Sequence, residues 1–89
     1  VTAMGAHCLE KNTTGAYNTA VGALALNEIV TGEYNTAVGV EAGPFSSGSG
    51  YDNTTALGYY AHPSGSNRIH IGNSSVTWIG GQKPWSTYS

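Results

Sequence analysis

A short phrase that occurs twice limits the folds open to this 89-residue chain more than any single residue does. The segment from Gly15 to Gly22 reads GAYNTAVG, and seventeen residues later Gly32 to Gly39 reads GEYNTAVG. Weaker copies cover residues 50–58 and 65–72, and a truncated copy covers residues 2–5. The closing glycines are separated by 17, 17, 19 and 14 residues: Gly5, Gly22, Gly39, Gly58 and Gly72. This spacing predicts a stack of similar coils.

The spacing within each copy predicts short strands. The stretch Asn18 to Val21, between two glycines, is long enough for a strand of four or five residues. Glycine at both ends suits turns with positive φ and close backbone contacts, so we predict two strands and two turns in each coil of about 14 residues. The surplus residues at 44–49 predict a protruding loop. The predicted fold is all-β, a β-roll or β-helix; an unfolded low-complexity linker is the alternative.

Two columns of side chains follow from this alignment of coils. Small residues predict a narrow interior: Ala20, Ala37 and Ala56. One apolar residue precedes each closing glycine: Val21, Val38, Leu57 and Ile71. Leu, Ile, Val and Phe number only 15 of 89 residues, which is little for a chain of this size to fold around alone. We therefore expect an intertwined homotrimeric fibre, with the second column as its trimer core on the shared axis.

Charge and hydrophobicity argue against two classes of partner. The formal net charge is −2, and the three basic residues Lys11, Arg68 and Lys83 are scattered. Without a basic face the chain has no means of neutralising phosphates or anionic lipid. The longest apolar run, residues 20–26, is too short to span a bilayer. We expect neither nucleic acid nor membrane as a partner.

The reactive residue types form no catalytic motif in the sequence. The five acidic residues are spread over different copies without a paired motif, so we expect no enzyme and no cofactor. Three histidines are too far apart for a local metal site: His7, His62 and His70. One histidine per chain on a trimer axis is the alternative, but we expect no metal. The single cysteine, Cys8, is expected to pack as a small apolar residue.

Aromatic residues and asparagines each allow two interpretations. Tyr51, Tyr59 and Tyr60 have flat amphipathic faces that suit contact with a glycan, and packing between subunits explains them equally well. For Trp78 and Trp85, beside glycine and proline breaks, packing against neighbouring subunits is preferred. Three tripeptides fit the glycosylation pattern, but turn formation is the simpler role of their asparagines: Asn12, Asn53 and Asn73.

The repeated phrase resembles a known group of proteins. Tyr17-Asn18-Thr19-Ala20-Val21-Gly22 and its copy at 34–39 are similar to repeats of bacteriophage tail fibres. They also resemble the left-handed β-roll heads of bacterial trimeric autotransporter adhesins. The resemblance covers residues 2–73 and implies a trimeric, surface-exposed protein.

The C-terminal residues favour the phage group over the adhesins. Arg68 to Ser89 is similar to the segment that precedes the intramolecular chaperone of endosialidase domain in phage fibres and spikes. In that family the chaperone trimerises the fibre and cuts itself off between a serine and an aspartate. Ser89 matches this serine, so the resemblance implies a catalytic role for Ser89 in the precursor only; an arbitrary end point is the alternative. It also implies a repeat shaft over 1–73 and a segment over 74–89 that leads to the removed chaperone.

Three functions follow as expectations. The first is a structural segment of a trimeric phage tail fibre or spike, located in the virion. The second is the head of a bacterial adhesin, located on the cell surface. The third is a receptor-binding tip that contacts host surface glycans.

Overall fold

A computed structural model describes residues 2–44 and 50–86. Its strands are β1 (Thr2–Met4), β2 (Thr19–Val21), β3 (Thr36–Val38), β4 (Thr54–Leu57) and β5 (Arg68–Ile71). They pair in parallel, in chain order, as one five-stranded sheet. The described residues contain no helix, and the chain forms a β-solenoid of about four turns. The all-β, β-roll or β-helix prediction is confirmed.

The strands β2 and β3 each place one buried alanine between two outward residues. Ala20 pairs with Ala3 on one side and Ala37 on the other, and Ala37 pairs with Ala56. Ala20, Ala37 and Ala56 are fully buried. Successive side chains of a strand point to opposite faces, so the threonine before and the valine or leucine after each alanine point away from the interior. The predicted narrow interior of small residues is confirmed.

The predicted second strand of each coil is wrong. The opposite wall contains the buried alanines Ala25, Ala42 and Ala61, and backbone bonds join it between coils, as from Leu26 N–H to Ala42 C=O at 2.8 Å. Leu24 and Leu26 have φ of 63° and 53°, so left-handed residues stand on both sides of Ala25. Extended backbone cannot continue through such residues. In the described coils this wall is therefore a succession of turns and not a strand.

Larger side chains fill the turns that close the first two coils. Leu9, Leu26 and Ile29 are buried and belong to the same hydrophobic cluster as the alanines. Of the predicted loop, Pro44 is buried and residues 45–49 lie outside the described ranges.

A buried ladder of polar side chains runs beside the alanines. Asn18 and Asn35 are almost fully buried, and Thr54 takes the equivalent position in the next coil. Asn18 Nδ2 donates to Gly32 C=O at 2.8 Å, and Asn35 N–H donates to Asn18 Oδ1 at 2.9 Å. Each asparagine thereby bonds the backbone of the following coil. The ladder holds successive coils in register, since buried polar groups are stable only when they are hydrogen-bonded.

Candidate functional site

The most distinctive surface of the molecule is the outward side of its sheet. The predicted apolar column lies here, because Met4 pairs with Val21, Val21 with Val38, Val38 with Leu57 and Leu57 with Ile71. Val38, Leu57 and Ile71 are 43%, 39% and 43% exposed, and Val21 is half-buried. The column is thus aligned along the solenoid, and it faces away from the interior of its own chain.

A second outward column runs parallel to the first. It contains a threonine in each of β1 to β4 and an isoleucine in β5: Thr2, Thr19, Thr36, Thr55 and Ile69. We call the two columns together the strand face. It has no charged residue.

Apolar side chains continue beyond both edges of the strand face. In the described part of the chain up to Ile71, each large exposed apolar residue belongs to a strand or lies within three residues of one. Those outside the strands are Tyr17, Tyr34, Val40, Tyr59 and Tyr60. The exposed apolar surface of the described coils therefore lies on the strand face and on the turns that flank it. Such a surface favours association with another protein surface.

Tyr17 and Tyr34 form an aromatic pair at one edge of the strand face. Their rings are nearly parallel, with an interplanar angle of 4° and centroids 5.2 Å apart. Both residues have left-handed backbone, with φ of 58° and 61°. Neither tyrosine was predicted to have a role, although both stand at the same place in the repeated phrase.

The three tyrosines predicted as glycan contacts do not form one site. Tyr59 and Tyr60 come together after β4, with ring centroids 4.2 Å apart, and Tyr60 also lies 5.6 Å from the His62 ring. Tyr51 lies before β4, half-buried against the hydrophobic core, and its C=O accepts a bond from Asn35 Nδ2. Only Tyr59 and Tyr60 form an exposed aromatic cluster.

The carboxylate of Glu41 modifies this cluster. A side-chain hydrogen bond with Glu41, followed by one with Tyr59, raises the pKa of Tyr60 to about 12. The physical cause is that a phenolate beside a carboxylate is a second negative charge, which favours the protonated phenol. Tyr60 is therefore a hydrogen-bond donor at neutral pH.

A small cleft lies beside this cluster. Its lining comprises Asn27, Glu28, Glu41, Ala42, Pro44 and His62, and its volume is about 40 Å³. Pockets for drug-sized ligands usually measure about 300–1,000 Å³. One wall is neutralised, because Lys11 Nζ lies 3.2 Å from both carboxylate oxygens of Glu28. The cleft offers polar groups at a surface and does not enclose a ligand.

The histidines and the cysteine make local contacts. Within residues 2–44 and 50–86, no three His, Cys, Asp or Glu residues are grouped as a metal site would require. His7 pairs with Glu10, and His62 Nδ1 lies 2.7 Å from Gly43 C=O. Cys8 is half-buried, contacts the hydrophobic core, and donates its thiol to Gly22 C=O at 2.7 Å.

The segment after β5 carries further exposed aromatic surface. Residues 74–86 form no strand and are exposed. Trp78 and Trp85 are each 76% exposed, and Val76 and Ile79 are also exposed. Ser89, the predicted cleavage residue, lies outside the described residues.

Comparison with known proteins does not assign this chain to a family. A scan of protein-family models and searches of curated proteins and solved structures found no match. Across the described ranges there is no helix with the length and hydrophobicity needed to cross a bilayer.

Proposed function

We propose that this chain is a structural segment of a homotrimeric phage tail fibre or spike, in which the strand face packs against other copies of the chain. The observation that carries the proposal is the uncharged, partly exposed column of Val21, Val38, Leu57 and Ile71. Burying apolar surface of this kind stabilises an assembly by about 25 cal/mol per Å².

The periodicity of the strand face favours another copy as the partner. The face repeats once per coil, and neighbouring parallel strands are about 4.8 Å apart. A second solenoid with the same coils presents side chains at the same spacing along its axis. Since the face has no charge, identical faces can approach without repulsion. The number three, the phage origin and the virion location rest on the resemblance of the repeats and of Arg68 to Ser89.

A charge placed on the column tests the interface. Val38→Asp adds little strain within one chain, because Val38 is 43% exposed there. In a trimer it places three carboxylates together, where burial of an unpaired ion costs several kcal/mol. We expect sedimentation velocity to show loss of the trimer. Thr14→Asp, an exposed residue in another turn, is the matched control. If both variants form equally stable trimers, the column is not at the interface.

Contact with a host glycan is a second candidate function, favoured by the exposed cluster of Tyr59, Tyr60 and Glu41. The tyrosine rings provide apolar faces, and the carboxylate provides a hydrogen-bond acceptor. We expect Tyr59→Ala to reduce cell-surface attachment while the trimer stays intact, whereas Thr14→Ala leaves attachment unchanged. Equal attachment by both variants would rule out a role for the cluster in attachment.

The head of a bacterial adhesin, on the cell surface, is the alternative within the same architecture. The sequence that follows Ser89 in the full-length gene distinguishes the two. A chaperone domain there identifies a phage fibre, and a coiled-coil stalk with a membrane anchor identifies an adhesin.

Self-cleavage after Ser89 is proposed for the precursor, on the similarity of Arg68 to Ser89 to the family's segment before the cleavage point. A serine hydroxyl becomes an effective nucleophile when a neighbouring base removes its proton. Expression of a precursor with the chaperone should give two fragments, the first ending at Ser89. The Ser89→Ala precursor should stay uncut and still trimerise. Equal cutting of both precursors would disprove this role of Ser89.

A further inference from the structure

One turn position of the solenoid is occupied by tyrosine in two coils and by asparagine in the next two. In each coil this position comes two residues before the residue of the second outward column. It is occupied by Tyr17, Tyr34, Asn53 and Asn67, whose φ angles are 58°, 61°, 57° and 62°. Asparagine is among the few residues other than glycine that adopt left-handed backbone readily, and a bulky side chain does so at a cost. Asparagine therefore adopts the left-handed backbone of this position at a lower energetic cost than tyrosine does.

The single chain leaves the rings of the two tyrosines largely exposed. Leu9 and Leu26 are also bulky and left-handed, and their burial in the core offsets the strain, whereas His7 and Tyr60 are left-handed and exposed. Tyr17 and Tyr34 are 70% and 59% exposed, and their shared contact is the stack that they form with each other. In the same position of the later coils, Asn53 Nδ2 donates to Asn67 Oδ1 at 3.0 Å. The tyrosines thus combine an unfavourable backbone with an exposed apolar surface.

We propose that Tyr17 and Tyr34 pack against a second copy of this chain and form one edge of the interface between copies. This inference rests on the proposed self-association of the strand face. The pair lies two residues before β2 and β3, so it is continuous with the Thr and Val columns of those strands. Tyrosine is enriched at interfaces because it buries a large ring and keeps a hydroxyl available for hydrogen bonding. Burial against the partner copy then offsets the strain of both turns.

The later coils suggest the variant that tests this proposal. In Tyr17→Asn/Tyr34→Asn the turn acquires the residue that the chain itself uses at Asn53 and Asn67. We expect the far-ultraviolet circular dichroism of the full chain to keep its β form. The concentration at which half of the assembly dissociates should rise by about tenfold or more, as for the loss of aromatic interface residues elsewhere. Unchanged dissociation of the variant would overturn the proposal.

Chemical labelling of the wild type tests the same proposal without a substitution. Acetylation of tyrosine hydroxyls, followed by mass spectrometry, should modify Tyr17 and Tyr34 slowly in the assembly and rapidly after denaturation. Rapid modification of both in the intact assembly would overturn the proposal even if the double variant failed to fold. A wild-type chain that is monomeric would instead contradict the proposed function itself. An assembling wild type with freely labelled tyrosines would contradict only the present inference.

Discussion

The backbone and side chain of Asn35 together join three successive coils. Its backbone N–H donates to Asn18 Oδ1 in the preceding coil, and its Nδ2 donates to Tyr51 C=O in the following one at 2.8 Å. Its Oδ1 accepts from the N–H and the hydroxyl of Thr54, at 3.0 and 2.6 Å. A buried amide with this set of bonds fixes the stacking of the coils.

We predict that Asn35→Ala destabilises the solenoid by about 3 kcal/mol, because it leaves the buried N–H and hydroxyl of Thr54 without their acceptor. Urea unfolding measures the loss. Asn53→Gly is the control, since Asn53 is exposed, its φ of 57° suits glycine, and it loses one exposed hydrogen bond. The control should cost about 1 kcal/mol or less. If both variants lose the same free energy of unfolding, the buried ladder contributes no more to stability than an exposed hydrogen bond does.

Tyr60 provides a prediction on pH. Its pKa of about 12 lies above the usual value of 10.0, chiefly because of the hydrogen bond with Glu41. The folded state thus holds this proton more tightly than the unfolded state does. The resulting stabilisation is fully present below pH 10 and is lost as the pH rises through about 12. We expect Glu41→Gln to lower the pKa of Tyr60 towards 10.0, as followed by ultraviolet absorbance of the phenolate. Glu33→Gln is the control. If the two variants give identical phenolate titration curves, Glu41 is not the cause of the raised pKa of Tyr60.

Strand β3 ends at Val38 because the next residue, Gly39, must turn the chain close to the following coil. Its φ is 131°, and a Cβ added to it would lie 2.7 Å from the backbone C and O of Gly58 in the next coil. An L side chain is therefore excluded by backbone conformation and by contact. The same contact excludes a side chain at Gly5 and Gly22, where an added Cβ would lie 2.8 and 2.7 Å from the backbone of the next coil, whereas at Gly58 the nearest atom is 3.4 Å away.

We predict that Gly39→Ala destabilises the fold by about 3 kcal/mol, the sum of backbone strain and overpacking. Thermal unfolding followed by circular dichroism is the measurement. Gly81→Ala is the matched control, because a Cβ there meets nothing within 4 Å. A Gly39→Ala variant as stable as this control would show that coils can separate at the corner without cost.

The repeated phrase predicted the solenoid and its buried alanines, because repeated short strands of alternating side chains between glycines indicate stacked β coils. Alternation places Asn18 and Asn35 on the inward face with Ala20 and Ala37, but their hydrogen bonds could not be predicted, because their partners lie in another coil. The left-handed φ of Leu24 and Leu26 also has no signal in the sequence, and it replaces the expected second strand with turns. The apolar column of the strand face was predicted from the sequence and the threonine column was not, and the partner of this face remains a prediction.

The described residues bury a small apolar interior beside a large exposed apolar face. Its largest fully buried apolar side chains are Leu26 and Ile29, and most of the remaining core is alanine. Aromatic and branched side chains are instead exposed beside the sheet and in residues 74–86. We expect this surface to be covered by further copies, since removing exposed apolar surface from water favours association.

The mass of the purified 89-residue chain in solution tests this central claim most directly. Light scattering after size exclusion, with a circular dichroism spectrum to establish that the chain is folded, gives the mass without reference to shape. We predict a mass of about three times the 9.2 kDa of one chain, unchanged on dilution through the micromolar range. A folded β protein with a mass of 9.2 kDa would contradict it.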